Sequence, residues 1–153
     1  MKNFMNIQNE ILEFKIATDE TDLQICFNIR NQVFITEQNV DPKIERDNKE
    51  GIATHFIAYL NKIPVGTARL IKNDDSTAKI SRVAVLSKYR NKQIGKLLIN
   101  TIIEHSKKLG VSALILSSQS YVTGFYEGFG FEIFGDEFLD ANIPHRMMRL
   151  NIE

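Results

Sequence analysis

Apolar positions recur along this chain with two different periods, and each period marks a type of element. Ile94, Leu97, Leu98, Thr101, Ile102, His105 and Leu109 form one helical stripe, which predicts an amphipathic helix over 94–109 stopped by Gly110. A second stripe runs through Leu23, Cys26, Phe27, Arg30 and Phe34. Thr21 and Gln24 have capping-box spacing at its start, and Arg30 interrupts its apolar face. Residues 13–17 (EFKIA) alternate, as a strand with one wet face does. Residues 54–60 (THFIAYL) and 64–72 (PVGTARLIK) read as a strand pair turning at Asn61-Lys62. NDDST (73–77) then leads into the strand AKISRVAVL (78–86), with β-branched Ile80, Val83 and Val85. The near-continuous apolar run VSALILS (111–117) predicts a strand covered on both faces. A short helix around 122–129 ends at Gly130, and FEIF (131–134) and HRMMRL (145–150) read as closing strands.

Two stretches carry neither period. The first ten residues read as a loose lead-in. Residues 36–52 are polar, contain Pro42 and Gly51, and read as a long loop with a short helical turn, a length at which loops are often functional. The resulting order is β, α, loop, three strands, α, β, α, β, β. It predicts an α/β (α+β) fold with a mixed central sheet, antiparallel in its N-terminal part and flanked by helices. All-α and all-β classes are excluded, and 153 residues suit a single domain over 1–153.

Composition narrows the function. Apolar residues make up 43% and charged residues 25%, an ordinary globular mixture. Nineteen basic residues balance nineteen acidic ones, which disfavours a nucleic-acid partner. The single Cys26 rules out a disulfide framework and a multi-cysteine metal site, so no metal is expected. No run approaches the roughly 20 apolar residues of a membrane helix, and the first residues are too polar for a signal peptide. A cytoplasmic protein with no membrane partner is the expectation.

The strand 78–86, the loop 87–93 and the helix 94–109 form one β-loop-α unit. A helix start exposes about four unpaired N–H groups and roughly half a positive charge, a natural seat for phosphate. Here the turn is RNKQIGK (90–96). Arg90, Lys92 and Lys96 add positive charge, and Gly95 permits close backbone approach. A diphosphate on this turn is the expectation. A solvated basic helix start with no ligand is equally open on charge and spacing alone.

The segment VAVLSKYRNKQIGKLLINTII (83–103) resembles the acetyl-CoA-binding segment of the GNAT superfamily of N-acetyltransferases. That family follows a strand with R/Q-x-x-G-x-G/A and a helix. Arg90 and Gly95 match the first and last positions, and Gln93 stands where the family prefers glycine. GFYEGFGF (124–131) resembles the family's later motif, with Gln119 where the family usually has Asn and Val122 where it often has Ala. RNQVFITEQNV (30–40), His55, ARL (68–70), Ser118-Gln119 and IPHRMM (143–148) resemble the ElaA-like branch. The resemblance implies acetyl-CoA as co-substrate, held by Val83, Ala84 and Val85, by residues 90–96 (Arg90, Asn91, Lys92, Gln93, Ile94, Gly95 and Lys96), and by Gln119 and Tyr126. It implies direct attack by a primary amine of a small-molecule or peptide acceptor in a ternary complex, by a monomer or homodimer.

Such a reaction needs a neutral amine, whereas an alkyl ammonium has a pKa near 10.4. A carboxylate, a His or water takes the proton, and N–H donors stabilise the oxyanion. The resemblance places one donor on the Val83–Val85 edge and makes Tyr126 the acid that serves the leaving thiolate. Without the resemblance, Tyr126 reads as an aromatic core residue beside Phe125, Phe129 and Phe131. The base is open among Glu37, Glu45, Asp47, His55 and His145, with Glu37 and His55 put forward. Arg30 and Arg69 either bind a substrate carboxylate by their planar forks or pair with Glu45 or Asp47 and pin the loop. Glu37, Glu45, Asp47 and His145 complete the candidate acceptor set. Two other readings stand beside this one. Arg30, Val33-Phe34, Glu45, Asp47 and Arg69 loosely resemble acyl-homoserine-lactone synthases, and a non-catalytic acyl-CoA-binding module would need no acid or base.

Overall fold

A computed structural model describes residues 2–7 and 9–153, with residues 2–7 as backbone. The elements in chain order are β1 (Lys2–Ile7), β2 (Glu10–Ile16), α1 (Glu20–Arg30), α2 (Pro42–Glu45), β3 (Thr54–Leu60), β4 (Ile63–Lys72), β5 (Thr77–Val85), α3 (Ile94–Lys108), β6 (Ala113–Gln119), α4 (Thr123–Glu127), β7 (Glu132–Asp140) and β8 (Ile143–Asn151). The sheet order is β1-β2-β3-β4-β5-β6-β8-β7. β1 to β4 pair antiparallel in sequence order, β5 and β6 pair parallel, and β8 lies antiparallel between β6 and β7. This is a mixed α/β fold with a central sheet flanked by helices.

Three local expectations change. The lead-in forms strand β1 against β2; residues 1 and 8 of it lie outside the described residues. Helix α1 is capped by Asp19, not Thr21: its Oδ1 accepts from the Asp22 amide at 2.8 Å. Asp22 in turn is held by Lys15 and Thr18, so the carboxylate ladder outcompetes the hydroxyl. The helical stripe predicted through Phe34 does run past Arg30, but as a π-helical segment, Asn31–Glu37, which takes in the first two residues of the predicted loop. By contrast, Asn61 and Lys62 sit at φ 50° and 71°, as a tight hairpin turn requires.

The chain divides into two compact units, residues 1–70 with 82–102 and residues 71–81 with 103–153. In the first, Ile29 and Val33 pack with Ala84, joined by Ile25, Phe34 and Leu86. Gly66 belongs here: a Cβ on it would meet Ile94 at an ordinary 3.5 Å but would press to 3.3 Å on the Ala84 carbonyl of β5, so glycine lets β4 and β5 lie close without displacement. In the second unit, Ala113, Leu114, Leu116, Phe131 and Met148 are buried. The face predicted to be covered along 111–117 alternates instead: Ile115 and Ser117 are only half-buried.

The β5–β6 ladder runs from Thr77↔Ala113 to Ile80↔Leu116, yet β5 continues to Val85. Just past the last rung, Arg82 adopts φ 54°. A left-handed residue bends an extended strand and re-aims the residues beyond it.

Candidate functional site

In the first unit, the bent end of β5 feeds a 3-10 turn, Ser87–Tyr89, and then the turn singled out in the sequence. Asn91 and Gln93 take φ 66° and 64°, flanking Lys92. Left-handed residues in a turn can aim successive N–H groups to one side, a concavity that fits an anion. The helix adds its own donors. Its first internal bond among those described runs from the Leu97 amide to the Gln93 carbonyl, at 3.1 Å. The amides of residues 94–96 therefore have no acceptor inside the helix. Gln93 is exposed, so its side chain points away from the protein body. Its positive φ is the physical reason glycine suits that position. These residues fit the diphosphate of acetyl-CoA: the donors are backbone, the charge is positive and the helix is 15 residues long. Lys92 also reaches Glu10 at 3.4 Å.

Arg90 joins this turn to a distant segment. Its Nη1 and Nη2 donate to the two oxygens of Glu37 at 2.6 and 2.8 Å, and its Nε donates to the Val85 carbonyl at 3.0 Å. The Arg90 guanidinium holds the Glu37 carboxyl below the usual carboxylate range. That makes Glu37 a carboxylate with little basicity near neutral pH.

The same unit carries a second, buried cluster. Arg30, 1% exposed, donates to Glu45, to the Glu45 carbonyl and to both oxygens of Glu50. Arg69 forks onto Asp47 at 2.8 and 3.1 Å and also reaches Glu50 at 3.0 Å. Arg82, at the bend in β5, donates through Nε and Nη2 to the Glu45 carbonyl. Three arginines thus face three carboxylates. Burial alone would raise the Asp47 and Glu50 carboxyls, but the arginine contacts bring both down to about 2. Burial and the like charges of Arg69 and Arg30 lower Arg82. His55, 3% exposed, completes the frame: its Nε2 lies 2.9 Å from the Glu50 carbonyl and its ring sits edge-on to Phe27. Arg30, Glu45, Asp47 and Arg69 are therefore brought together as expected of a pinned loop, and the forks of Arg30 and Arg69 are spent on protein carboxylates. Arg82 was not foreseen; nothing in the β-branched run around it signals a left-handed arginine.

The second unit holds the remaining candidates. Tyr126, in α4, is half-buried and packs edge-on against Phe125 and Phe131, with ring centroids 5.0 and 6.0 Å away. Desolvation pushes its phenol up to about 12. Gln119 ends β6 opposite His145 of β8. His145 Nδ1 lies 2.6 Å from the Ile143 carbonyl, and its ring faces Phe138 at 6.0 Å. Among the described residues no group of His, Cys, Asp and Glu is arranged to hold a metal ion, and no helix is long and apolar enough to cross a membrane.

A mixed sheet with a bent strand running into a turn at a helix start is consistent with the acyltransferase fold that the resemblance implied. Sequence comparison agrees: a family model described as an acetyltransferase (GNAT) domain matches residues 16–152, and the chain belongs to that family. It is 34% identical to the uncharacterized N-acetyltransferase YjcF of Bacillus subtilis, over 87% of this chain and 95% of that one. It is 28% identical to Protein ElaA of Escherichia coli, over 82% and 84% of the two chains. The ElaA crystal structure superposes with a TM-score of 0.81, covering 90% of this chain and 98% of that one at 25% identity. Family membership carries the general reaction, acetyl transfer from acetyl-CoA to an amine.

Proposed function

We propose that this chain transfers an acetyl group from acetyl-CoA to a primary amine of a small-molecule or peptide acceptor, by direct attack in a ternary complex. One observation carries the reading: two left-handed residues, Asn91 and Gln93, flank Lys92 immediately before a helix whose first internal bond begins at Leu97. The amides of 91–96 hold the diphosphate, and the Val83–Val85 edge beyond the bend at Arg82 receives the acyl carbonyl. Similarity to ElaA at 28% identity supports an ElaA-like branch assignment.

The proton inventory assigns roles. With a phenol near 12, Tyr126 keeps its proton throughout the working range. Full transfer from a phenol raised by desolvation to a thiolate of ordinary pKa about 8.5 is uphill. Tyr126 therefore acts as a hydrogen-bond donor to the departing sulfur, and the net proton comes from the attacking amine. Glu37 has too little basicity to be a strong base and acts as a counter-ion for the acceptor's ammonium. His55, Arg30, Glu45, Asp47 and Arg69 form the frame under the loop. That frame is compatible with short and long acyl donors alike, so it does not favour the homoserine-lactone-synthase reading. His145 and Gln119 flank Tyr126 in sequence order and remain candidates for acceptor and cofactor contact.

The test is thiol release from acetyl-CoA with a panel of primary amines. Tyr126→Phe lowers turnover by about 10- to 100-fold, at the low end of or below general acid–base contributions, with CoA affinity within twofold of the parent (about 0.4 kcal/mol). An unchanged rate removes Tyr126 from the mechanism. Tight CoA binding with no turnover on any amine makes the chain a binding module instead.

A further inference from the structure

The fork of Arg90 lies between two rivals. In this structure it is filled: both Nη groups bond Glu37, and Nε bonds the Val85 carbonyl. Yet Arg90 also opens the turn whose amides at 91–96 form the anion seat. Glu37, for its part, closes the π-helical segment Asn31–Glu37, a type of helix often found at functional sites. Val33 of that segment is buried with Ile29 and Ala84. One ion pair therefore ties the cofactor turn and the end of β5 to the segment that follows α1.

The strength of that tie matters. The two side chains are 38% and 39% exposed, and a pair so open to water contributes about 1 kcal/mol or less. It is strong enough to be occupied and weak enough to be displaced. A diphosphate presents the same paired-oxygen geometry that a guanidinium prefers, and it carries more negative charge than one carboxylate. Glu37 in turn repels that charge while it stays beside the turn.

We infer that Glu37 and Arg90 form an exchangeable latch, in which the diphosphate of acetyl-CoA takes the Arg90 fork and frees the Glu37 carboxylate. The inference rests on the turn being the diphosphate seat. Only hydrogen bonds are exchanged: Nη1 and Nη2 leave the carboxylate oxygens and meet phosphate oxygens. By reciprocity, whatever Glu37 contributes to holding Arg90 is subtracted from cofactor affinity.

The experiment is calorimetric titration of CoA into the full chain as wild type, Glu37→Gln, Arg90→Ala and the double variant, with Gly95→Val as a control for the turn. The latch predicts that Glu37→Gln binds CoA about threefold or more tightly than wild type, because the competitor is gone. It predicts that Arg90→Ala binds more weakly, and that adding Glu37→Gln to it restores little, since the two residues act through one contact. Unchanged or weaker binding by Glu37→Gln overturns the latch, as does an equal tightening without Arg90. If Gly95→Val weakens binding while Glu37→Gln is flat, the turn remains and the latch alone is lost. No saturation by the wild type removes the turn and the latch with it.

Discussion

Arg30 and Arg90 each fork onto a glutamate, and water reaches only one of them. Arg30 is 1% exposed and sits with Glu45, Glu50, Asp47, Arg69 and Arg82 in a charge-balanced cluster beneath the 41–53 stretch. Arg90 lies at the surface, on the turn ahead of α3. The chemistry of the contacts is the same, and the surroundings give them opposite uses. Buried charges cannot exchange partners without leaving a desolvated ion behind, so the Arg30 cluster is a fixed frame. The exposed pair can let go at little cost, and it stands where an anionic co-substrate would arrive.

The largest expected effect tests that contrast in stability. Arg30→Met leaves Glu45 and Glu50 without their main counter-charge and is expected to cost about 3–5 kcal/mol in urea unfolding. Arg90→Ala is expected to cost no more than about 1 kcal/mol. Equal losses would erase the distinction between frame and latch. A smaller effect comes from acid. Asp47 and Glu50 have folded-state values near 2, below the ordinary 3.8 and 4.5. Their contribution is complete above those ordinary values. It declines as pH falls, because the unfolded chain takes up protons first, and it is gone once pH passes below about 2. Each is expected to account for on the order of 2–3 kcal/mol across that window. A flat unfolding free energy between pH 5 and pH 2.5 (on the order of the window set by these values) would mean the cluster is not paired in solution.

The same contrast governs how much of the molecule could be read from its sequence. Helix α3 was legible because its apolar stripe repeats over four turns, and the hairpin because Asn61-Lys62 separates two strand-like runs. The turn ahead of α3 was legible as basic residues around Gly95 after a strand. Its geometry was not, because Asn91 and Gln93 reach left-handed φ through tertiary context rather than through glycine. Arg30 announced itself as a charge on an apolar stripe, which is how a buried ion pair looks in one dimension. Glu45 and Asp47 stood out as partners for it, but Glu50 and Arg82 did not, since nothing local marks an acid in a polar loop or an arginine at a strand bend as buried. Glu37 and Arg90 are 53 residues apart, and only the folded chain could join them. Strand β1 escaped notice because its sequence, KNFMNI, alternates poorly and its order depends on pairing with β2.

The most direct measurement is calorimetric titration of CoA into the wild-type chain and into Gly95→Val. Saturable heat with the wild type, and affinity reduced about tenfold (about 1.4 kcal/mol) by a β-branched side chain at 95, is the predicted result. Absence of saturation with the wild type, or identical affinity in the variant, would contradict a diphosphate held by the amides of residues 91–96.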